Sequence, residues 1–315
     1  MICPVPFAHR DNFYTDVNSR YSIPAIDAIN TYYNHPDVPF AQSRSVSNDT
    51  AEPAVNSSTT PVFVTTLANA TLFPEDVHDG SNKTIRPPLE FYHSILSQAE
   101  DKSVTILGIG FLNNLDELYH STGGKELIER KVAELVVQGG DFSLNISDPR
   151  PHRAGYNLGT SLHCRLPLCA GLLMSSAVPA TNLTAAKVLE VWPSPVTYLG
   201  GNIGRSVLTG AVLAKTPKYN PVRAGKPISI HLIAPDIPQS HSSHLVYDIY
   251  HNGTGIENGS WDLLAMYYGV LGISEGSFKY GNGDRGGQIE IYPNGTAAWN
   301  YGVVIPASRR QHFLE

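Results

Sequence analysis

The chain has 315 residues, 42% of them apolar and 16% charged, and a formal net charge of −6. That length can bury a substantial core, as one large domain or two smaller ones. The acidic balance gives no reason to expect nucleic acid or an anionic membrane as partner. No apolar run approaches the roughly 20 residues that a membrane-spanning helix needs.

In chain order, residues 24–33 (PAIDAINTYY) predict a helix. Proline sits in its first turn, Ala25, Ile26, Ile29 and Tyr33 form an apolar stripe, and Asn34-His35-Pro36 ends it. Residues 42–61 are polar and rich in Ser and Thr, a loop or insertion. Residues 88–98 predict a helix feeding a strand at 104–110, and a helical stretch follows at 115–119. Residues 125–133 predict a further helix, then a short buried strand at 134–137 and the pair Gly139-Gly140. Residues 141–160 read as loop, 161–176 as a helix interrupted by Pro167, and 184–191 as a helix. WPSPVTYLGG predicts a strand ending at glycines before a helix at 204–213. Residues 217–260 are loop-rich, and helical periodicity resumes over 261–269. Residues 286–301 alternate like a hairpin turning at Pro293-Asn294-Gly295. Strand-helix alternation through the middle predicts an α/β fold: an open, mostly parallel, doubly wound sheet flanked by helices.

The segment SVTILGIGFLNNL (103–115) is the most informative. A near-continuous β-branched and apolar run that breaks at glycines ahead of a helix is how a buried parallel strand ends. Ligands in such sheets sit beyond the carboxyl ends of the strands, which makes Asn113 and Asn114 candidates. The plainer reading is a turn and an Asn N-cap.

Nine Asn residues begin N-x-S/T triplets: Asn48, Asn56, Asn69, Asn82, Asn145, Asn182, Asn252, Asn258 and Asn294. Chance predicts roughly three for this composition. The excess, in loop-like stretches, points to a secreted or secretory-pathway protein, although the start MICPVPFAHRDNFYTD shows no basic n-region or long apolar core. Cys164 and Cys169 are close enough to pair, yet their spacing fits neither a zinc knuckle nor a redox motif, and two buried thiols explain them equally well. Gly108 and Gly110 lack the third glycine of a dinucleotide loop, and Gly281-Asn282-Gly283-Asp284 lacks the remaining acids of a calcium loop. His241 and His244 fall in a polar loop.

Five blocks in order carry a resemblance: YSIPAIDAINTYYNHPDVPF, VTILGIGFLNNL, AELVVQGG, VWPSPVTYLGGNIGRSVLTG and SWDLLAMYYGVLG. Together they resemble the inosine/uridine-preferring nucleoside hydrolases, especially the secreted fungal-type members. The resemblance runs from about Val17 onward. It implies an enzyme that cleaves the bond between ribose and base with the help of Ca2+, which accepts sugar hydroxyls and water in its flexible oxygen shell. By the same resemblance Asp262 is a metal-binding aspartate and Asn113 offers a main-chain carbonyl to the metal. Asn157 binds ribose hydroxyls, and Asn18 stands at another polar ribose contact. Plainer roles remain open: Asp262 as an N-cap and Asn157 as a turn residue. The implied partner is a small-molecule nucleoside or ribose, and relatives that self-associate make a homo-oligomer an expectation.

The departures are informative. The family's aspartate-rich loop of type DTDxGxDDA, which supplies the general base and most calcium carboxylates, has no counterpart before Asn18. Residues 1–16 are thus expected to be an unmatched leader, 17–315 a nucleoside hydrolase-like domain lacking its first strand, and the catalytic residues unknown. Gly155 stands where an acid usually precedes the ribose-binding asparagine by two residues, and Gln138 where methionine is common. One carboxylate, one carbonyl and a few amides hold calcium poorly, and losing a positioned base removes roughly 10²–10⁴-fold of rate. The expectation is an impaired N-ribosyl hydrolase, with a catalytically inactive secreted nucleoside- or sugar-binding or surface protein as the alternative.

Overall fold

The computed structural model describes residues 22–41, 86–140, 142, 152–153, 156–158, 179–209, 258–273, 277–292 and 296–315. Helix α1 (Ser22–Tyr32) and helix α2 (Pro88–Gln98) come first. The second begins on a proline already set for helical φ and stops at Ala99, whose amide turns back to the carbonyls of Ile95 and Leu96. Strand β1 (Val104–Gly108), helix α3 (Asn113–His120), helix α4 (Gly124–Lys131) and strand β2 (Val132–Gln138) follow. Between α3 and α4 the chain turns at Gly123, in the left-handed region at φ +74. A side chain on Gly124 would meet the Leu118 carbonyl oxygen at 1.8 Å, so the turn demands glycine.

Next come the two-residue strand β3 (His152–Arg153), a 3-10 turn (Tyr156–Leu158), helix α5 (Pro179–Val191), strand β4 (Val196–Leu199) and helix α6 (Gly201–Ser206). Strands β5 (Leu208–Thr209) and β6 (Asn258–Gly259) pair with each other ahead of helix α7 (Trp261–Leu271). Strands β7 (Gln288–Ile291) and β8 (Thr296–Asn300) form an antiparallel hairpin that β3 joins, and β9 (Gln311–Phe313) closes the order.

The central sheet runs β1-β2-β4-β9, and every pairing within it is parallel. Side chains alternate across it with the period of two that a pleated strand imposes. Ile106, Leu135, Val137, Val196 and Tyr198 face a core built with Tyr92 and Leu96 of α2, Leu115 and Leu118 of α3, Ile128 of α4 and Val188 and Leu189 of α5. Leu107, Val136 and Leu199 face the other way, against Ala265 and Tyr268 of α7. Helices therefore cover both faces, as a doubly wound α/β sheet requires.

Several boundaries differ from the sequence reading. The helix expected to run to Ala133 ends at Lys131, because β-branched Val132 starts β2 opposite Val104. The helix expected over 204–213 begins earlier and stops at Ser206, where Val207 turns extended and the chain pairs with Asn258-Gly259. Within the expected loop 141–160, β3 and the 3-10 turn are ordered elements. Asn182, expected in a loop, lies within α5. The helix expected at 161–176, the hairpin turn at 293–295, residues 1–16 and the site of the family's first strand lie outside the described residues.

Candidate functional site at the carboxyl ends of the strands

Three parallel strands deliver glycine-containing loops to one end of the sheet. β1 runs through Ile109 into α3, β2 ends at Gln138 before Gly139-Gly140, and β4 ends before Gly200-Gly201 and α6. The glycine pairs knit together: Gly139 N–H donates to the Leu199 carbonyl at 3.0 Å, and Gly201 N–H to the Gly140 carbonyl at 2.7 Å. A side chain on Gly139 would stand 2.7 Å from Leu158 Cγ, so this glycine lets the 3-10 turn pack directly on the end of β2.

That turn carries Asn157, 8% exposed. Its Nδ2 donates to the Ile109 carbonyl at 3.1 Å, the Gln138 carbonyl at 3.1 Å and Gln138 Oε1 at 2.6 Å. Backbone carbonyls only accept, so the amide orientation is dictated: a flip would set oxygen against oxygen. Asn157 thus clamps the carboxyl ends of β1 and β2. Among the described residues, nothing donates to Asn157 Oδ1 and nothing accepts from Gln138 Nε2. Across the glycines, Asn202 Nδ2 donates to the Phe142 carbonyl at 3.1 Å, while its buried Oδ1 has no hydrogen-bond partner among the described residues. Phe142 in turn stacks on Phe313 with ring centroids 5.0 Å apart and meets Trp299 edge-on at 5.7 Å.

The residues singled out by sequence fall as follows. Asn113 is the first residue of α3, directly after the β1 loop, and is exposed. Asp262 is the second residue of α7 and is exposed. Helix α7 starts where the Trp261 indole donates to the Gly201 carbonyl at 3.1 Å, past the end of β4, so both positions lie at the same end of the sheet as Asn157. Asn18 is outside the described residues. Sequence reasoning passed over Asn202 and saw Gln138 only as a departure from the family pattern.

The described donor set does not suit a calcium ion, which takes six to eight oxygens with carboxylates among them. Amides dominate here, and among the described residues no three His, Cys, Asp or Glu side chains cluster closely enough to hold a metal.

A second polar cluster sits on the α7 face of the sheet. Glu134 Oε1 accepts from the Thr197 hydroxyl and, at 3.2 Å, from the Tyr268 hydroxyl, which lies 3.0 Å from that of Tyr280. Burial raises the Glu134 carboxyl above its ordinary value of 4.5, against the lowering pull of both hydroxyl donors. Burial, with the Glu134 charge second, pushes the Tyr268 phenol well up. The cluster continues to His312, whose ring stacks on Tyr280 at 3.9 Å and whose Nδ1 lies 3.2 Å from Asn282 Oδ1. Asn282 Nδ2 faces two carbonyls, so its Oδ1 accepts and His312 carries its proton on Nδ1. Burial, then the Arg310 charge, holds this imidazole below 6.5, with Asp284 pulling the other way. The available signal was an acid inside the apolar run AELVVQ, where an unpaired carboxylate is costly.

Solved structures resemble this one over nearly its whole length. A purine-preferring ribonucleoside hydrolase from Gardnerella vaginalis superposes with TM-score 0.57 at 12% identity, covering 95% of this chain and 81% of that one. An inosine-guanosine nucleoside hydrolase gives 0.54 at 12%, covering 95% and 82%. A plant nucleoside hydrolase gives 0.52 at 12%, covering 96% and 83%. This is the nucleoside hydrolase fold. No family profile and no characterised protein matches the chain by sequence. In open parallel α/β sheets generally, ligands bind in the crevice outside the carboxyl ends of the strands.

Proposed function

We propose that this protein binds a ribonucleoside through its ribose at the carboxyl ends of β1, β2 and β4, and hydrolyses the N-glycosidic bond only weakly. The observation that carries this is Asn157: its two amide protons are shared among three acceptors, and among the described residues nothing donates to its oxygen, which is set to accept from a hydroxyl. The sequence match of the GYN segment to a ribose-contacting asparagine supports the same role. Asp262, and Asn113 through its carbonyl, are the positions proposed to meet a metal, and Asn18 a further ribose contact. The described amide-rich set does not fit Ca2+, so no catalytic step is assigned to the ion. The nine N-x-S/T triplets support passage through the secretory pathway.

Calorimetric titration with inosine and with ribose, each with and without calcium, tests the proposal alongside an assay of ribose release. Binding with little release is expected. Rapid turnover in calcium overturns the impaired chemistry, and absence of binding in both conditions overturns the ribose site.

A further inference from the structure

Among the described residues, the carboxyl ends of β1 and β2 leave one side-chain NH2 group and one side-chain carbonyl oxygen without a partner, and this inference builds on the ribose reading of that crevice. We propose that Gln138 is a specificity-determining residue that donates from Nε2 to a hydroxyl oxygen of the bound sugar, while Asn157 Oδ1 accepts a hydroxyl proton from the same sugar.

The orientation follows from backbone atoms outward. The carbonyls of Ile109 and Gln138 can only accept, so Asn157 presents its nitrogen to both. Gln138 Oε1 stands 2.6 Å from that nitrogen and must be the acceptor there, which turns Nε2 away from Asn157. Among the described residues, the Gln138 NH2 group thus lacks an acceptor and the Asn157 carbonyl oxygen lacks a donor. A sugar hydroxyl both donates and accepts and satisfies the pair. A carboxylate or phosphate suits the donor but sets an acceptor against the Asn157 oxygen, and an ammonium sets a donor against the Gln138 NH2 group. A methionine at 138, common in the family this sequence resembles, presents neither. Gln138 is only partly buried and Asn157 nearly fully so, which lets a ligand reach the pair while Asn157 stays anchored.

Two substitutions in the full chain separate contact from scaffolding. Q138E keeps an oxygen to accept from Asn157 Nδ2 but replaces the outward donor with an acceptor. Q138M removes both without adding charge. Wild type and both variants are titrated with inosine, 2′-deoxyinosine and 3′-deoxyinosine, with melting temperatures measured in parallel. Wild type is expected to bind inosine about tenfold more tightly than the analogue lacking the paired hydroxyl, the value of one well-made hydrogen bond. Q138E is expected to melt near wild type, bind inosine about tenfold more weakly and lose that discrimination. If Q138E melts lower, Q138M carries the same test. Wild-type affinity and discrimination in the variant overturn the assignment of Gln138 and leave it a positioning residue for Asn157. Wild type that binds none of the three nucleosides overturns the ribose reading itself, and this proposal with it.

Discussion

Two polar clusters sit on the same sheet and differ in how they use their hydrogen bonds. Around Glu134, hydroxyl and carboxylate are turned toward one another: Thr197 and Tyr268 donate to the acid, and Tyr280 backs Tyr268. At the strand ends, Asn157 commits its nitrogen and keeps its oxygen, and Gln138 does the opposite. Buried polar groups that are unpaired cost roughly 1–3 kcal/mol each. The first cluster meets that cost internally and serves the fold. The second leaves Asn157 Oδ1 and Gln138 Nε2 without a partner among the described residues, in keeping with the proposed sugar site.

The widest separation between the clusters is expected from N157A. It strips a shared donor from two carbonyls, lowers stability by about 1–3 kcal/mol and reduces inosine affinity more than about 30-fold, read by urea melts and calorimetry. Retained affinity would erase the distinction drawn above. G139A comes next. Its new methyl crowds Leu158 Cγ at 2.7 Å, costs about 1–3 kcal/mol as overpacking does, and weakens inosine binding by displacing the turn that carries Asn157. In the other cluster, Y268F removes one donor from the buried acid. A loss of about 1–2 kcal/mol is expected with inosine affinity unchanged, so a change in binding would show the clusters to be coupled.

The smallest effect is on pH dependence. Because the folded protein holds the Glu134 proton more tightly than the unfolded chain, its contribution to stability falls as pH rises from 4.5 through the raised value. His312 works in the opposite sense. Its lowered value means the unfolded chain takes up a proton first, so stability falls as pH drops below 6.5. In a melting series from pH 4.5 to 7.5, E134Q is expected to remove the decline on the rising side and leave the acid-side loss intact. Equal slopes in E134Q and wild type would show that Glu134 does not titrate in this range.

The apolar runs around Ile106, Val136 and Tyr198 made the strands readable, because a strand covered on both faces has few polar positions to disguise it. Helix α2 was opened by Pro87 and Pro88, a local signal that needed no distant information. β9 was invisible, since the three residues Gln311-His312-Phe313 are too few to show a strand period. Gln311 is nonetheless buried: its Oε1 accepts from the Ile289 amide at 3.0 Å and the Tyr198 hydroxyl at 3.3 Å, and its Nε2 donates to the Leu189 carbonyl at 3.1 Å. Those partners are remote in sequence, and no local pattern announces them. The site shows the same limit. Asn157 could be singled out from its GYN context, but its partners lie 48 and 19 residues away, and the role of Gln138 emerges only when they meet.

β9 also bears on how the molecule assembles. Its register, Val196 with Gln311 and Tyr198 with Phe313, joins stretches far apart along the chain, with Leu314 N–H donating to the Tyr198 carbonyl at 2.9 Å. Pairings of such long separation form slowly. Until this one zips, β4 is a bare margin with ladder groups open to any passing strand, and stray self-association is most probable in that interval.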